Sequence, residues 1–412
     1  MYRFTLRIMT LNIGNVSIKN MFMIFLVINS FTWYFFAFTV LRNLVENASI
    51  PSSGNVIIWV LNFVGTAFSA LSGIKIASWF KREVHFILIW LFFGFLSSLA
   101  PIFFINNVTT TNLVFVSILY GVSFGLGMPK CMEYFAEVTT IENRGRIGGI
   151  SFFIVALGVS ILSILSTENF LLEVLILAMW RGVGVLALFF VKPFEITRKE
   201  NVPSYVSILS KRAFLLYIIP WWMFCLVNYI TMPISNEFFG EDFVRFSSVI
   251  ESLIISVFAV VAGYLADIIG RKRVAIVGFS MLGLGYAMLG IYPSSIFSWY
   301  FYTFMDGVAW GAFYVIFLIV LWGDLAQGAP SGNFYALGGQ PFLLSNFLRI
   351  IVGSYVSETI PIYAIFSLAS LFLFLAVFPL MYAPETLPEK AIRERELRSY
   401  IEKAKRLREK FT

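Results

Sequence analysis

The sequence predicts an all-α membrane protein in which twelve transmembrane helices form two six-helix halves, with both termini cytoplasmic. Three observations lead to this prediction: the composition, the lengths of the apolar runs and the distribution of the basic residues. Of the 412 residues, 59% are hydrophobic and 13% are charged, and the mean hydropathy is +0.84. A soluble domain carries only about 45–50% apolar residues, so the excess indicates a chain that lies in lipid.

Twelve apolar runs are long enough to cross a bilayer, which takes about 20 helical residues. They are predicted at 20–41, 55–74, 84–105, 113–135, 147–166, 170–191, 213–234, 246–265, 274–292, 296–320, 335–356 and 361–382. No small-residue cleavage site follows the first run, so we expect a transmembrane helix there rather than a signal peptide. The separation between the fifth and sixth runs, Thr167–Asn169, is only three residues long.

The basic residues predict the orientation. Alternate connections and the two ends of the chain carry 25 of the 30 Lys and Arg residues, whereas the other connections carry Arg42 and Arg245. Basic residues concentrate in cytoplasmic loops, so both termini are expected on that side. This distribution also accounts for the net charge of +7 without a nucleic-acid partner.

The sequence disfavours several other function classes. Cys131 and Cys225 lie in apolar runs and His85 is the single histidine, so neither a disulfide framework nor a multi-histidine metal site is expected. No phosphate-binding P-loop, nucleophile pattern or selectivity-filter segment is present. We therefore expect no cofactor, no metal and no enzymatic activity. A non-transporting membrane receptor or enzyme is the alternative from a different class.

The two halves repeat one plan. The segment GVSFG at Gly121 corresponds to GVAWG at Gly307, and the glycine at Gly73 corresponds to Gly263. The predicted divisions are a first six-helix bundle (1–191), a cytoplasmic linker (192–212), a second six-helix bundle (213–382) and a charged cytoplasmic tail (383–412). The tail has a weak helical period, which predicts either an amphipathic helix on an anionic membrane surface or a solvated segment.

The most specific motif joins the eighth and ninth predicted helices. Gly263, Asp267 and Gly270 precede the basic triplet Arg271–Arg273. The glycines permit close backbone approach and a tight turn, and Asp267 stands four residues before Arg271, on the same helical face. This segment resembles the G-x-x-x-D-x-x-G-R-K-R loop of the major facilitator superfamily of secondary transporters.

A second signature of that family is also split between the halves. Glu137 followed by Arg144–Gly145 is similar to its carboxylate-then-Arg-Gly signature, with features of the sugar-transporter branch. In the second half Asp324 stands at the carboxylate position, and Gly332–Asn333 replaces Arg-Gly. The first half therefore keeps the signature that the second half has lost in part.

The glycine-rich loop shows the opposite loss. Its first-half copy has Ala77 at the carboxylate position and Phe80 at the second glycine. After the last predicted helix, Pro384–Thr386 is similar to the closing motif of the sugar-transporter branch.

The resemblance implies charge pairs on the cytoplasmic face that form when the carrier is open outward and break when it opens inward. We expect Arg271 or Lys272 to pair with Asp324, and Arg144 to pair with Glu137. Lys81 is a further possible partner in the first half. The alternative is that these charges only set the membrane topology.

Lys130 and Glu133 are the other charges expected at the cytoplasmic gate. They lie three residues apart near the cytoplasmic end of the fourth predicted helix, so their side chains share a face.

Charges at membrane depth are costly and mark candidate substrate or proton sites. Asp306 lies near the middle of the tenth predicted helix, and Arg349 lies in the eleventh with Asn346 one turn before it. By the resemblance these helices line the central cavity. Arg349 is expected to hold an anionic or hydroxyl-rich substrate and Asp306 to exchange a proton; a static Asp306–Arg349 ion pair is the alternative. Glu251 is a second proton candidate, or a partner of Arg245.

Three further residues are candidates for the substrate site. Trp221 and Asn228 share a face of the seventh predicted helix and, with Trp310, are expected either to form an aromatic wall or to pack between helices.

Arg181 in the sixth predicted helix is expected to have a structural partner, with Glu173 among the possibilities.

Together these features predict a secondary-active, multi-pass transporter of the cell membrane. The expected substrate is a small polar or anionic solute, a sugar or an organic acid, moved by alternating access with proton coupling. Proton-coupled efflux of hydrophobic or drug-like compounds is the alternative. We expect a monomer whose partners are the substrate, protons and the lipid bilayer.

Overall fold

The computed structural model describes residues 18–48, 50–104, 108–165, 169–190, 201–229, 231–351 and 361–387, and the regular structure in them is helical. The first half contains α1 (Ile18–Asn47), α2 (Ser52–Ala77), α3 (Glu83–Leu99), α4 (Thr110–Gly125), α5 (Met128–Val138), α6 (Arg144–Leu165) and α7 (Phe170–Phe190). The second half contains α8 (Tyr205–Leu209), α9 (Arg212–Val227), α10 (Thr231–Ile269), α11 (Arg271–Ile291), α12 (Ile296–Phe313), α13 (Leu321–Leu325), α14 (Gly332–Gly338), α15 (Gln340–Ile351) and α16 (Ile362–Tyr382).

Ten helical stretches of the described chain are long and apolar enough to cross a membrane. They confirm the prediction of an all-α chain with many apolar spans. The seventh predicted span is covered by the shorter helix α9, of 16 residues. The eleventh is covered by α14 and α15, and its predicted end at 352–356 lies outside the described residues. The count of twelve and the cytoplasmic placement of the termini stay predictions.

The seventh predicted span, 213–234, is broken. Helix α9 ends at Val227 and α10 begins at Thr231. Pro233, in the first turn of α10, has no amide to donate to a preceding carbonyl, which favours an interruption before it. A second interruption follows at Gly240, whose φ of 78° and ψ of 175° separate residues 231–239 from the rest of α10.

The fourth predicted span is also divided, between α4 and α5. At Gly127 the backbone lies against the indole ring of Trp90, and a Cβ there would overlap that ring. The indole Nε1 of Trp90 donates to the Ser123 carbonyl at 2.6 Å, which fixes the contact. Pro129 occupies the first turn of α5, where its missing amide is tolerated.

The two halves pack most closely where α6 runs along α10, and they also meet where α2 and α5 contact α14 and α15. A Cβ on Gly263 would overlap the Gly145 carbonyl, and one on Gly149 would overlap the Ala259 carbonyl. The expected close approach at Gly263 is therefore present, and it joins helices of different halves. Gly270, with φ of 103°, makes the expected tight turn between α10 and α11.

Candidate functional site

A small cavity of about 60 Å³ lies between the two halves. Its lining is mainly aromatic and apolar, with polar side chains from Thr66, Tyr335 and Gln340. Drug-sized ligands occupy pockets of about 300–1,000 Å³, so the cavity must widen before it admits such a solute. The π-helical stretch Tyr314–Val320, which follows α12, contributes Phe317 to the lining.

Aromatic pairs hold the two halves closed next to this cavity, where Phe152 contacts Phe31 and Tyr314 contacts Phe342 of its lining. The rings of Phe152 and Tyr314 stack with centroids 4.9 Å apart, and those of Phe63 and Phe347 stack at 5.2 Å. Such offset pairs contribute about 0.5–1.5 kcal/mol beyond their buried area. This closure is apolar and therefore independent of charge.

The opposite closure is charged. We call it the charged end: α2, α5 and α10 finish there, and α3, α6 and α11 begin there. Asp324 lies at its centre, with its side chain fully buried. Its carboxylate pairs with Arg144 of the first half and with Arg271 Nε at 3.0 Å. The expected pair between Arg271 and Asp324 is therefore present.

The expected pair between Arg144 and Glu137 is not formed. The Arg144 guanidinium pairs with Asp324 across the halves, and it also donates to the Ala136 carbonyl at 2.6 Å. Lys81 is exposed. The spacing within one loop suggested a local partner, but the second half supplies a carboxylate that is completely buried.

Asp267 makes a second connection between the halves. Its carboxylate accepts the backbone amides of Gly145 and Arg146, each at 2.9 Å. Arg271 and Arg146 pair with the same carboxylate, each at 3.2 Å. The end of α10 is thus fastened to the start of α6.

Lys272 has a different role from the one expected, because it does not pair with Asp324. Its Nζ donates to the carbonyls of Met381 and Ala383, at 3.1 and 3.0 Å. The backbone amides of Arg271 and Lys272 donate to Glu385, at 2.8 and 3.1 Å. Glu385 therefore holds the first turn of α11. The similarity of Pro384–Thr386 to the closing motif of the sugar-transporter branch did not predict this role.

Lys130 lies between two carboxylates at the charged end. Its Nζ is 2.9 Å from Glu83 Oε1 and 3.0 Å from Glu133 Oε1, so the expected pair with Glu133 is present. The Tyr134 hydroxyl also donates to Glu83, at 2.8 Å. Glu83, in the first turn of α3, was not among the predicted gate residues.

Asp306 lies inside the second half rather than on the cavity lining. It is 5% exposed, and it interacts with the Glu251 carboxyl group and the Tyr302 hydroxyl. Its second carboxylate oxygen, Oδ1, has no hydrogen-bond partner among the described residues. The two proton candidates of the sequence are thus brought together, so the expected alternative of a Glu251 pair with Arg245 is not realised.

The other candidate substrate residues divide into two groups. The side chains of Asn346 and Arg349 lie outside the described part of the chain, so the Asp306–Arg349 pair stays a prediction. Asn228 accepts a hydrogen bond from Ser345 of α15. The described residues therefore do not show which polar side chains would contact a substrate.

The predicted tryptophan wall is helix packing. Trp221 is fully buried and stacks on Phe317 at 4.8 Å, and its indole donates to the Gly338 carbonyl at 3.1 Å. Trp310 is half-buried and packs against Phe224 of α9, with ring centroids 4.7 Å apart. The alternative of packing between helices therefore describes both residues.

Arg181 is completely buried inside the first half. Its guanidinium donates to Asn29 and Ser30 at 3.1 and 2.9 Å and lies over the rings of Trp33 and Trp90. Its partners are therefore polar and aromatic, and the suggested pairing with Glu173 is wrong. The helical periodicity of the segment that contains Arg181 could not predict these partners, because they come from α1 and α3.

The described part of the linker contacts both halves. The Tyr205 hydroxyl of α8 donates to the Leu71 carbonyl of α2, and Asn333 donates to the Pro203 carbonyl at 2.8 Å. Burial raises the pKa of Tyr205 to about 12, so its hydroxyl remains a donor at neutral pH.

No protein-family model and no curated protein matches the sequence. Solved structures match the fold. The major facilitator superfamily proton:xylose symporter XylE, bound to 6-bromo-6-deoxy-D-glucose, gives a TM-score of 0.67 at 15% identity, covering 90% of this chain and 97% of XylE. A double-tryptophan mutant of XylE gives 0.67 at 14% identity, with 92% and 98% covered. The human organic anion transporter MFSD10 (TETRAN) gives 0.65 at 13% identity, with 88% and 100% covered.

Proposed function

We propose that this chain, which has the major facilitator fold, is a secondary-active transporter that moves a small solute across the cell membrane by alternating access. The observation that carries the proposal is the closed cavity between the halves, with ion pairs that cross from one half to the other at one end. The Arg144–Asp324 and Arg146–Asp267 pairs must separate before that end opens. Two states that differ by only a few kcal/mol can be shifted by such contacts.

The cavity lining favours a solute with an aromatic or apolar surface. Phe31, Phe124 and Phe342 supply much of the lining, and no charged side chain of the described chain contributes to it. Thr66 and Gln340 offer a few hydrogen bonds. This supports the hydrophobic or drug-like alternative over an anionic substrate, because a buried anion needs a positive partner.

A polar or anionic solute remains the second candidate. It depends on Arg349 and Asn346, whose side chains lie outside the described residues. XylE and MFSD10, whose names refer to a sugar and to organic anions, have the same fold.

The Asp306–Glu251 pair supports proton coupling. Asp306 and Glu251 interact inside the second half, and two buried carboxylates in contact repel each other when both are ionised, so this pair is the candidate to take up and release a proton. The Tyr302 hydroxyl, which contacts Asp306, also lies 3.2 Å from Thr231 Oγ1, the first residue after the break in the seventh span. Proton release at the Asp306–Glu251 pair would therefore act on the contact next to the break between α9 and α10.

The test uses purified protein in liposomes with an imposed pH gradient, and it follows the internal pH while solutes are added. The panel contains neutral aromatic compounds, lipophilic cations, sugars and organic acids. We expect a solute-dependent proton flux with an aromatic compound, and we expect Asp306→Asn to abolish it.

The matched control is Asp242→Asn, because Asp242 is an exposed carboxylate of the same helix as Glu251. It should keep the flux. Solute exchange without any proton movement would contradict the coupling, and failure of every panel compound to exchange would count against transport of these classes.

A further inference from the structure

The second-half loop shows how a carboxylate fastens the halves at the charged end. Asp267, at the end of α10, accepts the amides of Gly145 and Arg146 at the start of α6, each at 2.9 Å. A hydrogen bond that a backbone amide donates to an ionised carboxylate is stronger than a neutral hydrogen bond. It joins the second half to the first.

The first half lacks the equivalent carboxylate. The repeat that aligns Gly73 with Gly263 places Ala77 where Asp267 stands in the second half. Ile74, one turn before Ala77, lies directly against Gly332 at the start of α14. The contact between α2 and α14 is therefore kept, but Ala77 has no group that can accept an amide.

A carboxylate of α5, rather than one of α2, accepts the backbone amide at the start of α14. The Gly332 amide donates to Glu133 Oε2 at 3.0 Å, and Glu133 belongs to α5 of the first half. Its other oxygen is held by Lys130 Nζ at 3.0 Å, and the Lys130 and Glu133 side chains are only 7% and 5% exposed. Glu83 binds the same Nζ at 2.9 Å and so keeps Lys130 in place.

We propose that Glu133 replaces the carboxylate missing at Ala77 and is the positioning residue that latches α14 of the second half to α5 of the first. The proposal rests on alternating access as the proposed function. Met132, adjacent to Glu133, and Tyr335, three residues after Gly332, both line the cavity. The latch therefore closes the cavity on this side, and it breaks when the charged end opens.

The test is amide hydrogen exchange, measured by mass spectrometry on the purified full chain in lipid nanodiscs. In Glu133→Gln the neutral amide oxygen can accept only a weaker hydrogen bond and no longer forms an ion pair with Lys130, so we expect exchange in residues 331–338 to become roughly tenfold faster. Residues 144–148, which Asp267 holds, should keep their rate. Glu46→Gln is the control, because Glu46 belongs to an exposed pair with Arg42 on α1.

A rescue variant separates a latch from general stabilisation. Adding Ala77→Asp to Glu133→Gln restores a carboxylate at the position that Asp267 occupies in the second half, and exchange in 331–338 should return to within about threefold of the original rate. Unchanged exchange in Glu133→Gln, faster exchange throughout the chain, or no recovery with Ala77→Asp would each overturn the proposal. Because exchange needs no solute, these results are independent of whether transport is detected.

Discussion

At the scale of single residues, Asp324 connects the two halves through charge. Its fully buried carboxylate lies between Arg144 and Arg271. Removing one partner of a buried ion pair costs about 3–5 kcal/mol, because the remaining charge stays buried without compensation. In Asp324→Asn we therefore expect a clearly lower midpoint of thermal unfolding, measured by scanning fluorimetry on the purified protein.

Two further variants provide comparisons for the unfolding midpoint of Asp324→Asn. Asp324→Glu keeps the charge and should lower the midpoint less than Asp324→Asn, while Asp242→Asn removes an exposed carboxylate and should leave it unchanged. An unchanged midpoint in Asp324→Asn would mean that the pair between Arg271 and Asp267 is sufficient to hold this end.

Arg181 depends on the shape of its side chain as well as on its charge. The guanidinium carbon lies 4.4 Å from the ring centroid of Trp90 and 5.3 Å from that of Trp33. A lysine ammonium cannot stack its plane on these rings or donate in the same fork geometry. We expect Arg181→Lys to destabilise the protein by about 1–3 kcal/mol through lost cation–π and hydrogen-bond contacts, read as a lower unfolding midpoint.

Arg245→Lys is the control, because Arg245 is exposed. Equal midpoints for the Arg181→Lys and Arg245→Lys variants would show that charge alone, without the planar group, satisfies the first-half core.

At the scale of elements, the contact between α6 and α10 depends on missing side chains. A Cβ at Gly263 would overlap the Gly145 carbonyl, which is backbone and cannot turn away as a side chain would. Overpacking of this kind costs about 1–3 kcal/mol. We expect Gly263→Ala to lower the unfolding midpoint and to speed amide exchange in residues 144–148, as the helices separate.

Gly182→Ala is a suitable control, because a Cβ there would make ordinary van der Waals contact with Phe95 at 3.4 Å. It lies in α7 and should be tolerated. If the Gly263→Ala variant behaves like this control, the backbone contact between the two helices does not limit stability.

Element boundaries were predictable where apolar runs ended at charges, and they failed where the interruption was apolar. The spans at 55–74 and 274–292 correspond to α2 and α11 within a few residues. The break between α9 and α10 was missed because apolar residues continue through it. Pro233, which has no backbone amide, follows this break, and the positive φ of Gly240 marks the second interruption, inside α10; hydropathy is insensitive to both.

At the scale of the whole molecule, the outer surface carries many large apolar side chains. Phe68, Ile164 and Tyr382 are 72%, 80% and 72% exposed. In water such a surface would drive association, but in a bilayer it faces hydrocarbon. The charged residues are instead concentrated at the charged end and inside the halves. This separation suits a multi-pass membrane chain whose polar groups lie inside and whose apolar side chains face the lipid.

The sequence by itself determined the class of the molecule. Apolar runs of bilayer length, the repeated glycine segments and the loop at Gly263–Arg273 led to an all-helical membrane chain with the major facilitator plan, and the structural matches agree with that fold. These properties are local in the chain, since length, composition and spacing decide them. The Arg271–Asp324 pair was also predictable, because both residues stand at motif positions.

Only the tertiary structure decided which distant residues the charged side chains contact. It joined Arg144 to Asp324, Glu133 to Gly332 and Glu385 to the start of α11, through contacts between residues from 113 to 199 positions apart. A carboxylate pairs with the cation or amide that packing brings within about 3 Å, and sequence spacing carries no information about partners on other helices. The identity of the cavity lining has the same origin, because α1, α4 and α15 contribute to it from distant parts of the chain.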